Sequence, residues 1–323
     1  MEKINIVICG GHLSPALAVI EVLQKRKEYR LFYIGRKSAL EGQSDFSLEY
    51  QTITAKGIKF LGIQTGRFQR HLSLWKILLM IKMPIGIFQS LYLMLRIRPR
   101  LILSFGSYVA LPVCFIAWIL GIPIITHEQT LILGLSNRFI SRMANVLCIS
   151  FSGTKYVPKG VKTIVTGLPV RKSFFYPKKN DLLDFGNKRL PLIYITGGST
   201  GSQSINSIVS MIMNQLTEKY RVLHQCGSAD SDRDYKVLHF RRNLLPEKNK
   251  FNYLVVKHIN IDLIGIILQN SNLVISRSGA NTVAEIALTG VPAILIPLPW
   301  SANQEQEYNA RMLAVAGLAK IIH

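Results

Sequence analysis

LIYITGGSTG, residues 192–201, sets five strand-forming residues directly against a glycine-rich turn. Leu192–Thr196 reads as a buried strand, because branched and aromatic side chains in a short apolar run suit a covered, pleated surface. After the turn, Ile205, Ile208, Val209 and Ile212 recur at helical spacing and predict a helix that carries all four on one face. Strand, glycine turn and helix in that order form one arm of a parallel βαβ unit. The start of the chain repeats the pattern: INIVI at 4–8, then Gly10-Gly11, then Ser14 as predicted N-cap with Pro15 at the first helical position. Ala16, Val19, Ile20 and Leu23 carry that helix.

Further strands are predicted at 31–34, 101–103, 123–126, 273–276 and 293–296, with a helix over 281–288 that Gly290 and Pro292 end. Residues 169–191 are polar, basic and weakly periodic, as a linker is. The expected architecture is α/β, two Rossmann-like domains facing a cleft, divided as 1–166 and 167–323. A length of 323 residues exceeds the usual size of one core and agrees with two domains.

Composition narrows the partners. Four scattered cysteines, Cys9, Cys114, Cys148 and Cys226, include no Cys-x-x-Cys pair and suit free thiols in a reducing compartment. The first eight residues lack the apolar core of a signal peptide and read as a strand, so a cytoplasmic protein is expected. Net charge is +21, which calls for an anionic partner. Between Tyr50 and His127 there is no acid, yet Lys56, Lys59, Arg67, Arg70, Lys76, Lys82, Arg96, Arg98 and Arg100 fall there. Inside that region, residues 72–95 are rich in apolar and aromatic side chains, Trp75, Leu79, Phe88 and Tyr92 among them. Basic residues framing such a run fit an anionic membrane surface rather than nucleic acid, at about 1 kcal/mol for each cation near the surface. A membrane-spanning helix needs ~20 apolar residues, and Lys76, Lys82, Pro84 and Gly86 interrupt the run. A buried core helix is the other alternative; peripheral attachment at the cytoplasmic face of the cell membrane is the expectation.

Several motifs carry chemistry. Gly10-Gly11 opens a helix, where backbone N–H groups favour an anion such as a diphosphate. His12 beside it projects from a strand end and is a candidate general base, since imidazole titrates near neutrality. In the second half, Gly197-Gly198-Ser199-Thr200-Gly201 offers amides and two hydroxyls to a phosphate. It lacks the Gly-Lys-Ser/Thr of a P-loop, and neither glycine turn spells the dinucleotide fingerprint. In SRSGANTVAE, residues 276–285, Glu285 stands on a helix beginning at a strand end and can accept both hydroxyls of a ribose. His127-Glu128-Gln129 crowds three polar side chains at another strand end, too few for a metal site. Gln304, Gln306 and Asn309 supply amides suited to sugar hydroxyls. Each has a plain structural alternative: a tight turn, a loop histidine, a solvated helix glutamate, a satisfied polar turn.

In order and spacing these motifs resemble the MurG family of N-acetylglucosamine transferases. The landmarks are Gly10-Gly11-His12 with Pro15, Gly106-Ser107-Tyr108, His127-Glu128-Gln129, Gly167-Leu168-Pro169-Val170-Arg171, Gly197-Gly198-Ser199, Arg277 through Glu285, and Gln306 with Asn309-Ala310. The resemblance implies a GT-B glycosyltransferase fold with no cofactor and no obligatory metal. Its sugar donor would be UDP-N-acetylglucosamine, its acceptor a polyprenyl-diphosphate-linked muramyl-peptide. The reaction implied is inverting: the muramyl 4-hydroxyl attacks the anomeric carbon and UDP leaves. By the same resemblance His12 is the base, with Glu128 as alternative base or as the group orienting the histidine. Gly10, Gly11, Tyr108 and Thr130 would contact substrate in the N-terminal half. Gly198, Ser199 and Arg171 would meet the diphosphate, and the Ile259 backbone the uracil. Arg277, Ala280, Asn281 and Thr282 would line the nucleotide, Glu285 hold the ribose, and Gln304 and Gln306 hold the sugar. The sequence departs from the family in a shorter first glycine loop and in Thr130, where the family carries Asn. The family pattern also continues past the position of His323. Rival readings are another lipid glycosyltransferase of the same fold, a non-catalytic nucleotide-sugar or lipid-binding protein, and a UDP-sugar epimerase.

Overall fold

The computed structural model describes residues 3–37, 46–64, 75–176, 181–198, 200–228, 232–301 and 304–323, with only the backbone for 75–83. The chain divides into two compact units, Met1–Arg171 and Lys172–His323.

The first unit runs β1 (Ile4–Gly10), α1 (Leu13–Leu23), β2 (Tyr29–Gly35), α2 (Leu48–Ala55), β3 (Lys59–Gly62), α3 (Trp75–Ile97), β4 (Leu101–Phe105), α4 (Ala110–Ile119), β5 (Ile124–Glu128), α5 (Leu135–Met143), β6 (Val146–Ile149) and β7 (Thr163–Val165). Its sheet is parallel, in the order β3-β2-β1-β4-β5-β6-β7. The chain winds outward from β1 to β3, then restarts beside β1 at β4 and winds the other way. Right-handed crossovers therefore place α1 and α2 on one face and α3, α4 and α5 on the other. Val7, Cys9, Phe32, Ile34 and Ile102 meet Met94, Ile97, Val113 and Ala117 in the core beneath α3 and α4.

The second unit runs β8 (Leu192–Thr196), α6 (Gln203–Lys219), β9 (Arg221–Gln225), α7 (Arg233–Asn243), α8 (Glu247–Lys250), β10 (Tyr253–Val256), α9 (Ile264–Asn270), β11 (Leu273–Ser276), α10 (Ala280–Thr289), β12 (Ala293–Leu295), α11 (Glu305–Val315) and β13 (Ala319–Ile321). Its parallel sheet has the order β10-β9-β8-β11-β12-β13, the same reversal of winding. Each unit is thus a doubly wound Rossmann-like layer set, the arrangement of the GT-B class, and each has its switch point beside its first strand. Open α/β sheets bind ligands there, past the carboxyl ends of the strands.

One local expectation needs correction. Helix α1 starts at Leu13 with His12 at the cap position, so Ser14 lies inside the first turn rather than capping it. Ile205, Val209 and Met213 form the buried face of α6, while Ile208 and Ile212 point outward. The four predicted positions share an arc of about 100°, but the covered side of α6 is centred nearer Met213, so Ile208 and Ile212 fall past its edge. Residues 75–95 belong to one 23-residue helix, α3, with Pro84 inside it. Arg67 and Arg70 lie outside the described residues, as do the side chains of Trp75, Lys76, Leu79 and Lys82. Among the described residues no helix is long and apolar enough to cross a membrane.

Candidate active site

At the first switch point three strand ends meet. Gly10 closes β1 with φ +133°, and a Cβ there would lie 2.7 Å from the Phe105 carbonyl carbon, so only glycine allows β1 and β4 to run this close. Gly11 N–H donates to the Gly106 carbonyl across the same seam. The Tyr33 hydroxyl lies 3.0 Å from the Gly10 carbonyl and within hydrogen-bond reach of Glu49 Oε1. Burial pushes the Glu49 carboxyl up to about 7, against the lowering effects of the Tyr33 and Arg36 contacts. Tyr108 follows Gly106 and Ser107, half-buried, with the Arg36 guanidinium 5.9 Å from its ring centre.

His12 opens toward this seam, and its ring is held from the end of β5. Gln129 places its side-chain Nε2 2.8 Å from His12 Nδ1. Burial lowers the His12 pKa, opposed by the Glu128 carboxylate, so the ring is neutral at neutral pH and can take a proton. Gln129 Oε1 is itself buried without a partner.

Glu128 has a different position from the one its motif suggests. It is 2% exposed, and its oxygens accept from Thr130 N–H and Oγ1–H, from Gly134 N–H, and from Asn137 Nδ2 at 3.0 Å. That carboxylate organises the loop from β5 to α5; the group touching His12 is Gln129. The side chain bonded to His12 is thus Gln129, while the Glu128 carboxylate raises the histidine's pKa against the effect of burial. Thr130 lies in the same loop. Its buried hydroxyl is within reach of Glu128 and of the Ile132 carbonyl. Asn137, absent from the sequence reading, completes the cluster by bonding Thr126, the His127 carbonyl and Glu128. His127 reaches the Gly167 carbonyl with Nε2 at 3.1 Å, linking the two family landmarks at 127 and 167. Arg171, buried, is the last residue of this unit.

At the second switch point the glycine turn after β8 is pinned by its neighbours. Gly198 N–H donates to Thr196 Oγ1, and Gln225 Nε2 donates to the Gly198 carbonyl. Ser199 lies outside the described residues. Arg277 spans the turn: Nε and Nη2 donate to Ser202 Oγ, Nη2 also to Ser204 Oγ at 2.7 Å, and Nη1 to the Ile296 and Pro297 carbonyls. All three guanidinium nitrogens are thus occupied by the protein. Arg277 ties α6 to the end of β12, and Ser202 and Ser204 are partners the sequence did not reveal.

Helix α10 begins at Ala280 with Gly279 at its cap and no side chain on its first N–H groups. Asn281 Oδ1 beside it is buried and without a partner. An open helix N-terminus and a buried, unfilled acceptor together mark a place for a polar ligand. Thr282 lies in the same first turn and Glu285 one turn further, where its charge is among the causes holding the Tyr194 phenol above its usual range, after burial. Gln304 adopts φ +55° ahead of α11. Gln306 holds the following turn, accepting from Leu298 N–H through Oε1, while its carbonyl accepts from Ser278. Ile259 follows β10 in a half-buried loop.

Comparison with known proteins fits both units. The glycosyltransferase family 28 N-terminal domain matches residues 8–149, and the family 28 C-terminal domain matches residues 192–323. The UDP-N-acetylglucosamine–N-acetylmuramyl-(pentapeptide) pyrophosphoryl-undecaprenol N-acetylglucosamine transferase of Treponema denticola is 33% identical over 321 residues, covering 97% of this chain and 81% of that protein. The transferase of the same name from Legionella pneumophila strain Lens is 32% identical over 97% of this chain and 81% of its own. Among solved structures, Acinetobacter baumannii MurG aligns over 99% of this chain and 86% of its own with TM-score 0.67 and 27% identity. The UDP-GlcNAc 2-epimerase of Neisseria meningitidis aligns over 98% of this chain and 86% of its own with TM-score 0.64 at 14% identity, a likeness of fold alone.

Proposed function

Because the chain belongs to glycosyltransferase family 28, and within it to the MurG transferases, we propose that it moves N-acetylglucosamine from UDP-N-acetylglucosamine onto the 4-hydroxyl of an N-acetylmuramyl-pentapeptide carried on undecaprenyl diphosphate, a step in peptidoglycan synthesis. The observation that carries the reading is the half-buried His12 at the first switch point, ring held by Gln129, in a chain that keeps the family's motifs in both halves.

The division of labour is the one the family resemblance implies. The first unit takes the acceptor, with Gly10 and Gly11 lending backbone to it and Tyr108 beside them. His12 accepts the proton of the attacking hydroxyl. The second unit takes the sugar nucleotide. The N-terminus of α10 and the amides around Gly198 and Ser199 stabilise the diphosphate as it departs with negative charge, aided by Arg171. Glu285 accepts from the ribose, Asn281 and Thr282 line the nucleotide, Ile259 offers its backbone to the uracil, and Gln304 and Gln306 take the sugar. Direct attack opposite the leaving UDP inverts the anomeric carbon. Arg277, its guanidinium already engaged, keeps the loop in shape.

The lipid acceptor also needs access to a membrane. On α3, Ile85, Phe88, Tyr92 and Leu95 are exposed along one stripe; on the adjoining α4, Phe115, Trp118 and Ile119 are exposed too. Arg96, Arg98 and Arg100 are exposed at the end of α3. This apolar and basic face supports peripheral binding to anionic lipid at the cytoplasmic face.

The test is release of UDP from UDP-N-acetylglucosamine with and without the lipid-linked muramyl-peptide. Acceptor-dependent release supports the reading. Release that ignores the acceptor, or conversion of the sugar nucleotide to its 2-epimer, contradicts it.

A further inference from the structure

Helices α6 and α7 lie side by side on one face of the second sheet, since β8, β9 and β10 follow one another in the same direction. Their inward faces are ordinary core: Ile205, Val209, Met213 and Leu238 pack with Ile193, Val222 and Tyr253. Their outward faces are not ordinary surface. On α6, Ile208 and Met211 project outward, Met211 at 77% exposure. On α7 and just past it, Val237, Phe240 and Leu244 share a stripe at the spacing i, i+3, i+7, with Phe240 at 64% and Leu244 at 68%. Lys236 and Arg241 flank that stripe on its two sides, both exposed. The acid of this helix, Asp234, is turned to Asn206 Nδ2 at 2.6 Å, and Glu218 comes only in the last turn of α6.

Clustered, strongly exposed apolar side chains mark a surface that meets something. A second copy of this chain would bring another net charge of +21 against the lysine and arginine here. A negatively charged lipid surface matches them: apolar side chains enter the acyl boundary while cations stay among the headgroups. We propose that the outer face of α6 and α7 is a lipid-contact surface of the second unit, distinct from the face on α3 and α4. It rests on these two helices alone and stands whether or not the chain transfers sugar.

The experiment is co-sedimentation of the full chain with vesicles of phosphatidylglycerol and phosphatidylcholine. Lys236→Glu with Arg241→Glu removes two attractions worth roughly fivefold each, so partitioning should fall roughly 30-fold or more. Met211→Ser with Phe240→Ser should weaken binding to the same vesicles even at high salt. Calorimetric UDP binding should stay at the wild-type value in both, because none of the four residues belongs to the nucleotide loops. The charge variant changes only exposed positions, so it carries the test even if the apolar variant folds poorly. Wild-type partitioning of the charge variant overturns the proposal. So does a lipid-free wild-type dimer that both variants dissolve, which would assign the face to a second copy.

Discussion

Gln129 holds His12 across 117 residues of sequence, its amide nitrogen 2.8 Å from the imidazole Nδ1. An amide can present either end to a ring nitrogen. With nitrogen forward it fixes Nδ1 as acceptor and leaves the proton on Nε2. With oxygen forward it accepts from Nδ1–H, and Nε2 becomes the base. Once His12 has taken a proton, both ring nitrogens donate and only the oxygen suits Nδ1. Gln129→Leu should therefore cut kcat roughly 10-fold or more while UDP affinity holds, as loss of a tautomer-fixing partner does. Gln129→Glu places a carboxylate there, raises the His12 pKa and should move the acid limb of kcat/KM to higher pH. An unshifted limb would separate Gln129 from the base.

Arg277 makes the corresponding long-range tie in the second unit, across 75 residues to Ser202. Lysine cannot reproduce a planar fork engaging two serines and two carbonyls. Arg277→Lys should weaken UDP binding by roughly tenfold in calorimetry. Unchanged affinity would mean that the loop keeps its shape without the guanidinium.

These two ties show where the sequence stops being legible. Strand, glycine turn and helix could be read at 4–23 and 192–219 because the apolar period changes from a strand run to helical spacing at each glycine pair. His12 was readable as a residue at a strand end, and Glu285 as one on a helix that follows a strand. Their supports were not: Gln129, Asn137 and Ser202 act through contacts between distant segments, and local pattern holds no trace of such pairs. The outward turn of Ile208 and Ile212 was missed for a related reason. Spacing says that residues share a side of a helix, but packing against the sheet decides which side is covered.

Glu128 tests the loop rather than the chemistry. Glu128→Ala leaves Thr130 N–H, Gly134 N–H and Asn137 Nδ2 without their acceptor. Each unsatisfied group costs about 1–3 kcal/mol, so thermal unfolding should move down by many degrees, with activity lost in proportion to the folded fraction. A variant that melts like wild type yet lacks turnover would restore Glu128 as a candidate base.

Glu49 gives a pH signature. Its carboxyl is pushed up to about 7 by burial, above the 4.5 of the free group. Between those values the folded chain binds the extra proton, so stability from this group is full below about pH 4.5 and lost as pH rises through about 7. Glu49→Gln keeps an acceptor for Tyr33 and carries no charge at any pH. Its melting temperature should exceed that of wild type at pH 8, and the difference should close toward pH 4.5. A constant difference across that range would contradict the shift.

The central claim is transfer of sugar to a lipid by a base at position 12. It is tested most directly by incubating UDP-N-acetylglucosamine, labelled in the sugar, with undecaprenyl-diphosphoryl-N-acetylmuramyl-pentapeptide and extracting the lipid phase. Wild type should carry label into that phase as a β-linked disaccharide. His12→Ala should slow this by roughly 10²–10⁴-fold at unchanged UDP affinity. Label that stays in the aqueous phase with wild type, or equal transfer by His12→Ala, would contradict the account.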